Sequence, residues 1–191
     1  FFFVYEDNFK FWQQLGAELL FFNPIKDNSL PSSIQGLYFP GGYPELYAKQ
    51  LAANKSLLKE IRQAVASGIP TYAECGGLLY LAKQLHINGN SYPLAGVVPA
   101  VAVLTKQRQA LGYVTAQMLK DNLLGEKNQV VRGHRFHWSK LVFSEDQAAY
   151  LINGSEKEGY AKKNLLASFV HLNWRGFPMA AQSFLHYCQG G

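Results

Sequence analysis

Along residues 1–90 the apolar positions switch repeatedly between strand-like and helix-like spacing. Residues 1–5 form an apolar run that predicts a core strand. Residues 8–15 predict a helix opening after Asp7 and stopping at Gly16. Residues 17–22 predict a second strand, 23–33 a polar, Pro-containing loop, and 36–39 a third short strand ending at Pro40-Gly41-Gly42. Helical spacing follows over 44–53 and 55–67, closed by Gly68. Residues 69–73 then predict a buried strand and 78–85 a helix. Strands separated by helices need crossover connections, hence a parallel sheet of Rossmann or flavodoxin-like type flanked by helices. Ligands on such sheets bind beyond the carboxyl ends of the strands. Gly41-Gly42 and Cys75 both fall at such ends, so the two can meet.

The second half alternates differently. Residues 94–98, 101–104, 113–118 and 130–139 read as strands and predict a smaller, antiparallel β-rich arm. Residues 153–164 read as a polar loop, 167–174 as a last strand and 178–189 as a closing helix. No internal repeat, low-complexity tract or linker calls for a second domain, and 191 residues suit one.

Composition narrows the class. A 48% hydrophobic content builds a substantial core. The longest apolar stretch, 94–104, is broken by Pro99, so no membrane span is expected. The opening residues lack the basic flank of a signal peptide and hint at a domain cut from a longer chain. The net charge of +5 is scattered, densest at Arg132/Arg135/Lys140 and Lys162/Lys163, without the basic stripe of a nucleic-acid surface. Arg132 and Arg135 are better placed to pair with carboxylates of a small substrate or a partner domain. Two cysteines, Cys75 and Cys188, make no secreted-type framework, and a reactive thiol needs a reducing compartment, so a cytoplasmic location is expected.

The chemistry concentrates at Ala73-Glu74-Cys75-Gly76-Gly77. A strand turning sharply into a helix lifts the residue at the turn out of the sheet and aims the helix N-terminus at it. The positive end of the helix favours a thiolate, so a lowered thiol pKa and a usable nucleophile are expected at Cys75. Gly76 and Gly77 clear side chains from where a carbonyl would approach. A buried structural cysteine is the commoner alternative, and the flanking glycines argue against it.

Four motifs in this order resemble the glutaminase domain of class I, triad-type glutamine amidotransferases, in the cobyrinic acid a,c-diamide synthase branch. They are Pro40-Gly41-Gly42-Tyr43-Pro44-Glu45-Leu46, Tyr72-Ala73-Glu74-Cys75-Gly76-Gly77-Leu78, Arg132-Gly133-His134 with Phe136-His137, and Phe169-Val170-His171-Leu172. The resemblance implies that Cys75 attacks the side-chain amide of L-glutamine to form a thioester. His171 would be the base that takes the thiol proton and returns it to leaving ammonia. The backbone N–H groups of Gly42 and Gly76 would form the oxyanion hole, each donor lowering the barrier by about 3 kcal/mol. Gly41, Gly77, His134 and His137 are candidate substrate contacts. No metal is expected, since His134 and His137 lack further ligands at a zinc spacing, and odd spacing on a strand puts their rings on opposite faces. His86 and His186 read as structural or exposed.

The resemblance also implies an N-terminal synthase domain, absent here, which would use ATP and Mg²⁺ to activate a corrinoid carboxylate. No phosphate-binding Gly-rich Lys-Ser/Thr loop occurs in this chain, so no cofactor is expected in this domain. A homodimer is one assembly the sequence allows. The family's usual Glu two residues after the histidine is Asn173 here, which suggests a Cys–His dyad with Asn173 as an orienting candidate. Glu74 is a second orienting candidate, but side chains adjacent on a strand point to opposite faces, which argues against its replacing the missing Glu. The family's Glu and Tyr are Arg135 and Trp138 here. Three alternatives stay open: a glutaminase serving another acceptor (cobyric acid, nickel-sirohydrochlorin or a cell-wall lipid), a cysteine hydrolase of the related elbow superfamily, and a non-catalytic docking domain.

Overall fold

A computed structural model describes residues 3–190. In chain order its elements are α1 (Glu6–Gln14), β1 (Leu37–Phe39), a 3-10 turn (Pro44–Tyr47), α2 (Ala48–Ala53), α3 (Lys55–Ala66), β2 (Thr71–Glu74) and α4 (Gly76–Leu81). Then come β3 (Ala82–Ile87), β4 (Asn90–Pro93), β5 (Val98–Leu104), β6 (Ala110–Met118), β7 (Val130–His137), β8 (Ser139–Phe143) and β9 (Tyr150–Ile152). The chain closes with β10 (Glu156–Glu158), β11 (Tyr160–Lys162), β12 (Leu165–Ser168), β13 (Val170–Leu172), a 3-10 turn (Trp174–Gly176) and α5 (Pro178–Cys188).

The parallel sheet is present, with order β1-β2-β12-β11. Strand β2 runs parallel to β1 and β12, and β11 closes the edge antiparallel. Helix α3 shows why the pattern works: Leu57, Leu58 and Ile61 bury one face, and Asn54 caps the start by accepting from Leu57 N–H at 3.3 Å. The β-rich part is larger than one arm. It comprises a five-stranded antiparallel sheet, β10-β9-β6-β7-β13, and a four-stranded mixed sheet, β4-β3-β5-β8. One apolar core lies around α2, α3 and α4; a second gathers Trp12, Tyr72, Trp174 and Phe184 under the antiparallel sheet.

Several expectations are corrected. Of the expected strand 1–5, Phe1 and Phe2 lie outside the described residues; Phe3 makes one antiparallel bridge to Gly41, and α1 opens at Glu6. Residues 17–22 form no strand: no ladder partner faces them, and Leu20 and Phe21 are exposed. The helix expected over 78–85 stops at Leu81, because Ala82–Ile87 pairs with β4 and β5. A stretch this short does not by itself separate helix from strand, and here tertiary pairing decides. Residues 94–97 form no strand either; they bond back to 80–83, and β5 begins at Val98.

The loop expected over 153–164 instead carries β10 and β11, ordered by the buried Glu158. Its carboxylate accepts from Ser168 O–H at 2.6 Å and Phe169 N–H at 2.7 Å. These bonds fall where the expected single strand 167–174 divides. Strand β12 stays in the parallel sheet; β13 crosses to the antiparallel one. His171 therefore sits on a different sheet from Cys75's strand.

Candidate active site

Strand β2 ends at Glu74, and α4 begins at Gly76, so Cys75 occupies the turn between them. Its backbone has φ 46° and ψ −102°, an unfavourable conformation for a side-chain-bearing residue. The turn is held by Cys75 N–H donating to Ser168 carbonyl at 2.7 Å. Gly76 and Gly77 are required by close approach. A Cβ on Gly76 would lie 2.3 Å from the Gly42 carbonyl oxygen, and one on Gly77 would lie 2.2 Å from the Phe39 carbonyl oxygen. The Pro40-Gly41-Gly42 loop is thus seated directly on the start of α4. Gly77 serves this seating.

The Cys75 thiol is buried and donates to the Phe136 carbonyl at 3.6 Å. Burial pushes it up to about 12; the fields of Glu45, Glu74 and Glu158 push the same way, and the Gly76 N–H opposes them. The expected lowering of this thiol is therefore corrected. Helix α4 has six residues, and its dipole does not offset burial beside three carboxylates.

His171 is paired in register with His134 across β13 and β7. Cross-strand partners share a face, so His134 stands beside His171, half-exposed, with its ring 5.5 Å from Tyr113. His171 is buried under Phe3, whose ring centre lies 5.3 Å away, and over Gly41. A Cβ on Gly41 would lie 2.3 Å from His171 Cε1. His137 projects to the opposite face, as its odd spacing predicts. There it stacks on Phe169 at 3.7 Å and its Nδ1 pairs with Ser139 carbonyl at 2.9 Å. Burial, with the Arg135 charge adding, pushes His137 down to about 4.

Glu74 lies closer to His171 than its strand position suggested. Its carboxylate is 3.7 Å from His171 Nδ1, with both side chains buried. Tyr38 and Tyr72 hydroxyls each donate to it at 2.9 Å, and Leu172 N–H donates at 3.0 Å. Burial, with the Glu74 charge adding, keeps both phenols protonated. Asn173, the other orienting candidate, is exposed at the entry to the last 3-10 turn. Cys75 leaves the strand plane at the turn, so its neighbour Glu74 can still face His171.

Three further features escaped the sequence reading. Arg135 is buried and pairs with Glu156 in a two-pronged contact, both bonds 2.8 Å, inside the chain and not with an external partner. Glu158 holds the crossing between sheets. Glu45, inside the Pro40–Leu46 motif, has a buried carboxylate oxygen without a hydrogen-bond partner. Its place between two apolar residues of a motif was the available signal. Among the described residues no group of His, Cys, Asp and Glu could hold a metal ion, and no helix is long and apolar enough to cross a membrane.

Residues 1–179 match the CobB/CobQ-like glutamine amidotransferase domain. The chain is 41% identical over 192 residues to a cobyrinate a,c-diamide synthase of Caldanaerobacter subterraneus, covering 97% of this chain and 42% of that protein. A cobyrinate a,c-diamide synthase of Leptospira interrogans is 41% identical, covering 98% of this chain and 43% of that protein. The chain thus spans less than half the length of these curated relatives. Among solved structures, a glutamine amidotransferase superposes with TM-score 0.67 at 21% identity, over 96% of this chain and 93% of its own. That likeness supports the fold.

Proposed function

The chain belongs to the CobB/CobQ-like glutamine amidotransferase domain family, and on that premise we propose that it hydrolyses the side-chain amide of glutamine at Cys75. The observation that carries this reading is the convergence of three separate segments. The strained turn at Cys75, the Gly41-Gly42 loop seated on Gly76, and His171 packed over Gly41 meet at one place.

The steps follow from these positions. His171 takes the Cys75 proton as the sulfur attacks the amide carbon. The oxygen of the tetrahedral intermediate takes the Gly42 and Gly76 N–H groups. Its C–N bond then breaks, and His171 passes the proton to leaving ammonia. Water, deprotonated by the same imidazole, cleaves the thioester to release glutamate. Glu74 steadies the imidazolium that forms in each half-reaction, as the third member of a triad does. The high resting thiol pKa makes proton transfer to His171 part of the attack and not a prior step.

The ammonia feeds an ATP-dependent a,c-diamidation of cobyrinic acid in cobalamin biosynthesis. The reading rests on the identity to cobyrinate a,c-diamide synthases. The 191 residues form one glutaminase domain, joined in the longer enzyme to a synthase domain that binds ATP, Mg²⁺ and the corrinoid, working in the cytoplasm. The test is Cys75→Ala in the full-length enzyme. Glutamine-driven amidation is lost and ammonia-driven amidation survives. Equal loss of both overturns this division of labour.

A further inference from the structure

We propose that Glu45 is the anchor for the α-ammonium group of glutamine and sets the specificity of Cys75 for an α-amino acid amide. This deepens the glutaminase reading and rests on it.

Glu45 lies in the 3-10 turn Pro44–Tyr47, directly after the Gly41-Gly42 loop. The turn packs against α4, whose first residue follows Cys75. Glu45 is half-buried, and its Oε2 is buried with no hydrogen-bond donor. No cation pairs with it among the described residues. A buried carboxylate oxygen left unpaired is costly and uncommon in a folded protein.

The comparison with its neighbours is informative. Three carboxylates act on the Cys75 thiol. Glu74 is satisfied by two tyrosine hydroxyls and Leu172 N–H. Glu158 is satisfied by the Ser168 hydroxyl and Phe169 N–H. Glu45 alone of the three has an orphaned oxygen, and its field on the thiol is the strongest of the three. Internal hydrogen bonds occupy the first two and leave an oxygen of Glu45 without a donor.

Glutamine supplies what is missing. Its ammonium group sits a few bonds from the carbon that Cys75 attacks, at the far end of the same short chain. Seated on Glu45, that cation satisfies the orphaned oxygen and offsets one of the charges that add to burial in keeping the thiol protonated. An amide without the α-amino group leaves Glu45 unpaired. A site built around a charged contact rejects the analogue lacking it more strongly than a site relying on apolar fit.

The test compares glutamine with glutaramate, which is glutamine without its α-amino group, on the intact enzyme carrying this chain. Wild type prefers glutamine in kcat/KM by about 100-fold. Glu45→Gln lowers kcat/KM for glutamine by about that factor and does not lower it for glutaramate, whose turnover loses no contact and is relieved of the Glu45 charge beside the thiol. The preference collapses, and the glutaramate rate shows that the site is still assembled. Glu45→Asp, which keeps the charge, retains part of the preference. An active wild type whose preference survives Glu45→Gln overturns this assignment alone. A wild type inert to both substrates overturns the glutaminase reading and this assignment with it.

Discussion

The Glu74 carboxylate lies 3.7 Å from Nδ1 of His171, although Glu74 immediately precedes Cys75 in the chain. One strand end thus supplies both the proposed nucleophile and the carboxylate that faces the proposed base. On the proposed mechanism Glu74, and not the exposed Asn173, orients the imidazole. Glu74→Gln is expected to lower kcat by about 100-fold or more. Asn173→Ala changes kcat by less than about twofold, since an exposed side chain on that turn has nothing to align. Glutaminase kinetics and melting temperature check both variants. A Glu74→Gln enzyme that loses melting temperature but keeps its kcat would leave Glu74 a purely structural role.

The buried thiol has its own pH signature. With Cys75 pushed up to about 12, its thiolate fraction rises about tenfold per pH unit through the neutral range. Alkylation of Cys75 by iodoacetamide, resolved from Cys188 by peptide mapping, therefore climbs from pH 7 to 9 without a plateau. A plateau near neutrality would mean a thiolate already formed in the resting protein.

Gly41 has no room for a side chain. A Cβ there would lie 2.3 Å from His171 Cε1 and 2.9 Å from the Phe3 carbonyl oxygen. Gly41→Ala is expected to displace the imidazole and to cost about 1–3 kcal/mol by overpacking. Chemical denaturation and glutaminase assays should report both losses together. Retained activity would show that the loop shifts freely and does not fix His171.

The legible parts of this chain were the ones whose chemistry is local. Gly41-Gly42, the turn at Cys75 and the face assignments of His134 and His137 follow from short-range patterns, and the structure places them as those patterns imply. The parts that were not legible depend on pairing between distant segments. Residues 82–85 extend the helix expected from Leu78, yet β5 recruits 82–87 as a strand. Residues 17–22 carry an apolar run as a strand can, but find no ladder partner among the described residues. The polar spacing over 153–164 hid two strands because Glu158 is buried, and burial of a carboxylate becomes sensible only once the Ser168 hydroxyl and Phe169 N–H are in place. Glu74 was misjudged for the same reason: its reach to His171 depends on a strand from the far end of the chain.

Arg135 gives a stability test of such long-range pairing. Its side chain is 7% exposed and that of its partner Glu156 is 56% exposed. Glu156→Gln leaves a buried guanidinium without its counter-charge, at an expected cost of about 2 kcal/mol after allowing for the open partner. Urea denaturation measures it. No change in midpoint would mean that solvent already screens the pair.

The most direct measurement of the central claim is intact mass after exposure to a diazo-ketone analogue of glutamine, with Cys75→Ala alongside, on this chain and on the full-length enzyme. A Cys75 nucleophile that recognises glutamine predicts one adduct on the parent protein, blocked by excess glutamine and absent from Cys75→Ala. An unlabelled full-length enzyme, or equal labelling of Cys75→Ala, would contradict it.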